Sequence, residues 1–274
     1  MALVQASDGY VARAVRPWNN EKLHYVARYQ SIFSRSMKNK WDKLVYADLL
    51  CGPGICISSD GVETSGSPLL ALKHAPLARL FFNDADGRAI SALEARIARN
   101  QLGHGRSVQA VSGDCNEVVA QARNFLFPFG RSEKVLGLVF IDNQGFQMSF
   151  DALAELTRGI SMDLLITFMT SFPKRFITRP GFGPDSNFAR FIGPDAYRRS
   201  VENKQEIRTH DLLEAYRRKL RSIGYHYVDD RIRIENTRRQ TIYHLVFASR
   251  NALGKEFFEK ISQSTSAGQA RMQM

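Results

Sequence analysis

Four aspartates each stand at or just after the end of an apolar run that is typical of a buried strand: Asp48, Asp84, Asp114 and Asp142. Because the carboxyl ends of parallel strands meet at one edge of a sheet, we expect these carboxylates to line one ligand site. A carboxylate there can accept hydrogen bonds from the hydroxyls of a ribose or from the amine of an adenine. For each aspartate alone, the alternative is a helix N-cap, a position that Asp often occupies.

Two glycines follow the first of these strands, in the segment Cys51-Gly52-Pro53-Gly54. Paired glycines allow the backbone to turn tightly and to approach a ligand without interference from a Cβ atom. Asp48 lies four residues before Gly52, whereas in dinucleotide-binding sites the acidic residue follows the glycines by about twenty residues. The spacing therefore argues against a dinucleotide-dependent enzyme.

The segment Asp142-Asn143-Gln144 follows the most apolar strand and is the predicted place of chemistry. Asp142 can accept a hydrogen bond from an attacking amine and so orient its lone pair. Asn143 and Gln144 can shape the acceptor pocket by contacting a base edge or a phosphate. The alternative is that these residues form a plain turn.

The elements that position these residues alternate between strand and helix. Apolar runs of strand length are separated by helical stripes, and they cover residues 44–50, 77–83, 108–111, 135–141 and 162–167. This pattern predicts an α/β fold with a parallel sheet covered by helices on both faces. A helix at 209–222 and two β-rich segments, 225–234 and 241–248, predict a closing antiparallel hairpin.

Changes in composition divide the chain into five parts. We expect a helical N-terminal extension, a cofactor-binding core, a basic insertion rich in Phe, Pro, Gly and Arg, a helix with a hairpin that completes the sheet, and a flexible tail. Their predicted bounds are residues 1–42, 43–170, 171–208, 209–262 and 263–274.

The net charge of +11, from 38 Lys and Arg against 27 Asp and Glu, favours a polyanionic partner such as a nucleic acid. The predicted phosphate-binding surface consists of arginines in the last third of the chain: Arg217, Arg218, Arg221, Arg231, Arg233, Arg238 and Arg239. The alternative is a basic face that contacts only water. The phenylalanines of the insertion can either stack on unpaired bases or pack the insertion onto the sheet.

From residue 43 to residue 167 the sequence resembles class I S-adenosylmethionine-dependent methyltransferases, most clearly at 48–54. The resemblance implies a Rossmann-like, mostly parallel sheet with an antiparallel C-terminal hairpin, and S-adenosyl-L-methionine as cofactor. It further implies that Asp84 holds the ribose and Asp114 the adenine, with the methyl acceptor at 142–144. The implied cofactor-binding set is Asp48, Gly52, Pro53, Gly54, Asp84, Asp114 and Cys115.

Nearly the whole chain also resembles the three-Cys-motif partner family, a bacterial group, through segments 22–29, 46–54, 66–72, 140–142 and 243–249. This resemblance implies a three-Cys-motif protein as partner. Two positions depart from the patterns: Cys56 replaces the third glycine, and Asn143 replaces a proline. The substrate is expected to be RNA or DNA, methylated on an amine, and protein remains an alternative. A cytosine-C5 mechanism is not expected, because it needs a nucleophilic cysteine near Asp142.

Two other classes of function stay open at this point. One is a catalytically degenerate module that binds nucleic acid or a partner protein, and the other is a different Rossmann-like enzyme, such as an oxidoreductase or a nuclease. Three cysteines without zinc spacing and six scattered histidines predict no metal site. No secretory signal or membrane-spanning run is evident, so we expect a cytoplasmic protein. The oligomeric state is left open.

Overall fold

The computed structural model describes residues 2–74, 77–128, 133–176, 182–201 and 208–263. Its strands are β1 (Leu3–Gln5), β2 (Val11–Ala14), β3 (Lys43–Asp48), β4 (Ile55–Ile57), β5 (Glu63–Ser65), β6 (Arg79–Asp84), β7 (Ser107–Ser112), β8 (Val135–Ile141), β9 (Ser161–Phe168), β10 (Tyr227–Glu235) and β11 (Thr241–Ser249). Its helices are α1 (Asn19–Met37), α2 (Ser67–His74), α3 (Gly87–Arg99), α4 (Val119–Leu126), α5 (Phe150–Thr157), α6 (Ser171–Phe176), α7 (Asn187–Ile192), α8 (Pro194–Ser200), α9 (Thr209–Ser222) and α10 (Ala252–Ser262).

The main sheet has seven strands in the order β10-β11-β9-β8-β3-β6-β7. Strand β11 pairs antiparallel with both β9 and β10, and the other neighbouring pairs are parallel. The predicted fold class, a mostly parallel Rossmann-like sheet with an antiparallel C-terminal hairpin, is confirmed. From β3 the chain first adds β6 and β7 on one side of the sheet, and then returns to add β8 and β9 on the other side of β3. The switch point, where ligands bind in such sheets, therefore lies between β3 and β8.

The strand register brings the predicted acidic residues to one edge of the sheet. Asp48 pairs with Phe82 on β6 and with Phe140 on β8. Asp84 and Asp142 each lie two residues further along these neighbouring strands, so both follow Asp48 at the carboxyl edge. Parallel pairing of β3 with β6 and β8 thus brings these carboxylates to one edge of the sheet, as the spacing of the apolar runs predicted.

The core is continuous because the central strands are apolar on both faces. Residues Leu138, Val139, Phe140 and Ile141 of β8 are all buried. Helix α1 covers the sheet with an apolar stripe of helical period, Tyr25, Val26, Tyr29 and Phe33, all of which are buried. Packing of this stripe holds the N-terminal end of α1 above the switch point.

A second, four-stranded sheet in the order β1-β2-β4-β5 was not predicted. The N-terminal extension, expected to be helical, begins with the antiparallel pair β1 and β2, and β2 pairs in parallel with β4. The buried guanidinium of Arg96 in α3 ties this sheet to the glycine loop. It donates hydrogen bonds to the Asp8 carboxylate, to the carbonyl of Val11 at 2.8 Å and to the carbonyl of Pro53 at 2.6 Å.

The insertion forms α6, α7 and α8, and its aromatic side chains complete the core. Phe191 is buried, with its ring 4.6 Å from the ring of Tyr216 and 5.0 Å from that of Phe168. Phe188 lies 4.9 Å from Phe146 in the same cluster. These two rings pack the insertion onto the sheet. Residues 177–181 and 202–207 of the insertion and 264–274 of the tail lie outside the described residues.

Among the helices of the described ranges, none combines the length and the apolar composition that a membrane crossing requires.

Candidate active site

A cleft of about 460 Å³ opens at the carboxyl edge of the sheet, over the switch point. Of the ten residues predicted for the cofactor and the chemistry, eight line it: Gly52, Pro53, Gly54, Asp84, Asp114, Cys115, Asp142 and Gln144. The other two, Asp48 and Asn143, lie elsewhere, as described below. Such a volume suits a nucleoside-sized ligand.

The glycine loop needs its glycines. Gly52 has a φ of +66° and Gly54 a φ of +90°, a region that residues with a Cβ atom rarely adopt. A Cβ atom on Gly54 would lie 3.0 Å from Leu93 and 3.1 Å from Leu69, so a side chain there also meets packed leucines. The loop backbone therefore lies against α3 and leaves its other side open to the cleft.

Asp84 is the most tightly held of the predicted acidic residues and is 8% exposed. Its Oδ2 accepts hydrogen bonds from the backbone N–H of Gly52 at 2.9 Å and from Nη2 of Arg13 at 2.8 Å. Its Oδ1 accepts from the backbone N–H of Asp86 at 3.0 Å. Arg13 was missed by the sequence analysis, because β2 brings it to the cleft from 71 residues away.

Asp142 forms an ion pair with Lys22 of α1, a second residue that the sequence analysis missed. The Lys22 side chain is only 2% exposed and donates to Oδ2 of Asp142, which also accepts from Nε2 of Gln144 at 3.0 Å. Within the described part of the chain, Oδ1 of Asp142 has no hydrogen-bond partner. One oxygen of this carboxylate is thus held in place, and the other remains available to accept a proton or a hydrogen bond.

Asp48 does not contact the cleft as the resemblance implied. It is fully buried beneath the floor of the cleft, where Oδ1 accepts from the backbone N–H of Leu50 at 3.4 Å. Burial, reinforced by the nearby Asp142 carboxylate, raises the pKa of Asp48 to about 7. Asp48 lies under the turn that carries the glycine loop. It can therefore affect the binding of a ligand only by positioning that turn.

Asn143 is also placed differently from the prediction. Its side chain is fully buried, its Nδ2 donates to the carbonyl of Met148 at 3.2 Å, and its Oδ1 accepts from the Met148 backbone N–H, also at 3.2 Å. Both polar atoms of the amide therefore close the loop after β8, and neither shapes the pocket. A proline here could not make these bonds, since they need the amide side chain.

Asp114 is exposed at the rim of the cleft, and its Oδ1 accepts from both the backbone N–H and the Nδ2 of Asn116 at 2.7 Å. Cys115 beside it is buried, which raises the pKa of its thiol to about 12. The other two cysteines, Cys51 and Cys56, line the same cleft and have pKa values raised by burial. All three thiols are therefore protonated at neutral pH and are poor nucleophiles.

The predicted basic surface is largely neutralised by acidic side chains that sequence inspection did not pair with it. Arg217 lies 3.5 Å from Glu214 and 3.4 Å from Asp230. The same Glu214 lies 3.9 Å from Arg218 and from Arg221, and Arg231 pairs with Asp229 and Glu259. Four of the seven predicted arginines therefore have an acidic partner. Arg233, Arg238 and Arg239 are exposed.

Over the ranges that the structure describes, no group of three or more His, Cys, Asp or Glu side chains is arranged to hold a metal ion.

No protein-family model matches the sequence, and no curated protein matches it either. Among solved structures, the chain is similar to Trm1 from Pyrococcus horikoshii in complex with S-adenosyl-L-methionine, with 13% identity, a TM-score of 0.49, and coverage of 96% of this chain and 65% of that one. It is also similar to protein LPL1258 from Legionella pneumophila, with 13% identity, a TM-score of 0.48, and coverage of 88% and 92%. A methyltransferase from Geobacter sulfurreducens shows 13% identity, a TM-score of 0.42, and coverage of 85% and 79%.

Proposed function

We propose that the protein is an S-adenosylmethionine-dependent methyltransferase that methylates an amine of a nucleic acid. The observation that carries the proposal is the cleft itself. It combines an open glycine loop, the buried carboxylate of Asp84, which can bind a ribose, and the carboxylate of Asp142, one oxygen of which has no partner among the described residues. All three follow neighbouring strands around one switch point.

The residues of the cleft fit this cofactor. Asp84 stands where its carboxylate can accept the two ribose hydroxyls, provided that Arg13 moves off Oδ2. Asp114 and Cys115 form the rim on the far side of Asp84, at the position suited to the adenine. Gly52 and Gly54 line the cleft with backbone alone, and the methionine chain would lie along this loop.

When bound, S-adenosylmethionine supplies a methyl group that an amine nitrogen takes with its lone pair while the sulfur keeps the electrons of the broken C–S bond. What the chain itself must provide is alignment and a place for the proton. Asp142 offers Oδ1 to the N–H of the acceptor, and Lys22 together with Gln144 holds the carboxylate at Oδ2. The protonated thiols of the cleft leave no cysteine nucleophile for a C5 mechanism.

Calorimetric titration with S-adenosylmethionine tests the cofactor. Asp84→Asn keeps the shape of the side chain and removes the charged acceptor, so we expect the Kd to rise by roughly 10-fold to 100-fold, the range for hydrogen bonds to a charged group. The matched control is Asp86→Asn, because Asp86 caps α3 from outside the cleft and Asn is an equally good N-cap. No binding of the cofactor by the wild type would refute the proposal.

A radiolabelled-methyl assay against RNA, DNA and protein from a bacterial extract tests the acceptor, with and without a three-Cys-motif protein. Label on a nucleic acid supports the proposal. Binding of the cofactor without transfer to any acceptor, even with the partner protein present, would replace it with the non-catalytic module.

A further inference from the structure

A second cavity, of about 390 Å³, lies beside the cleft, between the start of α1, the start of α6 and the β10–β11 hairpin. It shares a wall with the cleft formed by Val15, Asn19, Gln144, Met169 and Phe172. Since Gln144 is hydrogen-bonded to Asp142, the two spaces adjoin at the carboxylate that is assigned to the chemistry. A ligand in the second cavity would therefore lie next to a ligand in the first, on the side of Asp142.

Three of the eleven residues that line this second cavity are aromatic. Trp18, Phe172 and Tyr243 come from three separate parts of the chain and contribute ring surfaces to the same space. Trp18 and Phe172 are half-buried, so part of each side chain faces out of the core. Ring surfaces of this kind suit a flat, heteroaromatic ligand, because base–aromatic stacking stabilises a bound base.

Buried polar atoms without partners surround the place where the two cavities meet. The hydroxyl of Tyr243 has no hydrogen-bond partner among the described residues, although Tyr243 is only 2% exposed, and the buried side chain of Asn19 lies against the Cys56 thiol. Oδ1 of Asp142 is also buried and has no hydrogen-bond partner among the described residues. Unpaired polar atoms at such depth are costly, and a donor, an acceptor and a hydroxyl together match the edge of a base that bears an amine.

The rim of the second cavity is basic. Arg16 lines the cavity and is exposed. Asn236 also lines it, and its Oδ1 accepts the backbone N–H of Arg238 at 2.9 Å, so the exposed Arg238 and Arg239 belong to the same turn as this lining residue. Arginines beside a cavity that aromatic rings line suit the phosphates on either side of a bound nucleotide.

We propose that the second cavity is the methyl-acceptor subsite and takes an unpaired nucleobase that carries an exocyclic amine, with Arg16, Arg238 and Arg239 on the flanking phosphates. Enzymes that modify a base must remove it from the stack and bind it in such a pocket. The inference rests on the proposed methyltransferase function, keeps Arg238 and Arg239 of the predicted nucleic-acid surface, and leaves out its arginines on α9 and β10.

The two tryptophans of the chain allow a direct test. Trp18 lines the cavity, whereas Trp41 precedes β3 and so lies at the opposite edge of the sheet. In a Trp41→Phe variant we expect adenine-rich single-stranded 12-mers, of RNA and of DNA in separate arms, to quench the remaining fluorescence in a saturable way. In a Trp18→Phe variant the same oligonucleotides should leave the fluorescence of Trp41 unchanged, and the corresponding duplexes should quench neither.

The rim is tested with charge-matched pairs of substitutions. Arg238→Ala with Arg239→Ala should weaken oligonucleotide binding by about 10-fold and reduce the slope of log K against log salt by roughly 1 to 2, since each contact releases counterions. The control is Arg218→Ala with Arg221→Ala, which removes the same charge from the ion-paired face of α9. It should change the affinity by less than about 3-fold.

Titration with S-adenosylmethionine on the same variants separates this inference from the proposed function. If the cofactor binds but no single-stranded oligonucleotide quenches Trp18, or if methyl label reaches only protein, the acceptor subsite is refuted and the methyltransferase assignment stands. If oligonucleotides quench Trp18 but the cofactor does not bind, the base-binding subsite is supported and the proposed function fails. Equal losses from the two arginine pairs would refute the placement of the phosphates.

Discussion

Replacing Asp48 with asparagine should change how the stability of the protein depends on pH. Asp48 is fully buried beneath the cleft, and burial raises its pKa from the ordinary value of 3.8 to about 7. The folded protein therefore holds this proton over a pH range in which the unfolded chain has released it. Since folding takes up a proton there, stability must fall as the pH rises from about 4 to about 7.

The size of the effect follows from those two values. Each pH unit within the window costs about 1.4 kcal/mol for one titrating group, so the full loss is about 4 kcal/mol. About 3 kcal/mol of it falls between pH 5 and pH 8. The amide of an asparagine cannot ionise, so the variant escapes this loss. Asp163, another buried carboxyl with a pKa raised to about 6, is present in both proteins and cancels in the comparison.

Urea unfolding at pH 5 and pH 8 measures the difference. Relative to the wild type, Asp48→Asn should gain about 3 kcal/mol in free energy of unfolding on going from pH 5 to pH 8. Asp185→Asn, at an exposed position, is the control and should follow the wild type at both pH values. If the wild type and Asp48→Asn ran parallel between the two pH values, Asp48 would ionise normally and the argument from burial would be wrong.

Three further substitutions test the parts of the site. Asp142→Asn should reduce methyl transfer by roughly 10²-fold, the scale of a positioned acid–base group, with cofactor affinity in calorimetry unchanged within a few-fold; equal turnover would reject its role. Arg96→Met removes the guanidinium that pairs with the Asp8 carboxylate and donates to the carbonyls of Val11 and Pro53. Urea unfolding should show a loss of about 2–4 kcal/mol, and a loss smaller than about 1 kcal/mol would mean that this tie is unimportant. Gly54→Ala should lower the free energy of unfolding by about 1–3 kcal/mol more than Gly61→Ala. Both glycines have a positive φ, but a Cβ atom would meet packed leucines within 3.1 Å at Gly54 and no described atom within 4 Å at Gly61. Equal losses in urea unfolding would mean that backbone strain alone matters.

The sequence by itself determined the sheet and the edge at which the cleft lies. Apolar runs of strand length separated by helical stripes specify a parallel sheet, because both faces of each strand must be covered. Once the strands are parallel, residues that end successive runs must meet at one edge. Asp84, Asp114 and Asp142 were found in this way without any knowledge of the strand order.

Only the tertiary structure decided which partners these residues meet. Arg13, Lys22 and Trp18 come from an N-terminal segment whose path over the switch point depends on long-range pairing of β2 with β4 and on the packing of α1. Hydrophobic periodicity records which face of an element is buried, but it does not record which distant element covers that face. The same limit explains why Asn143 was assigned to the pocket. It also explains why the acidic partners of the α9 arginines could not be predicted, since Asp230, which lies against Arg217, belongs to strand β10.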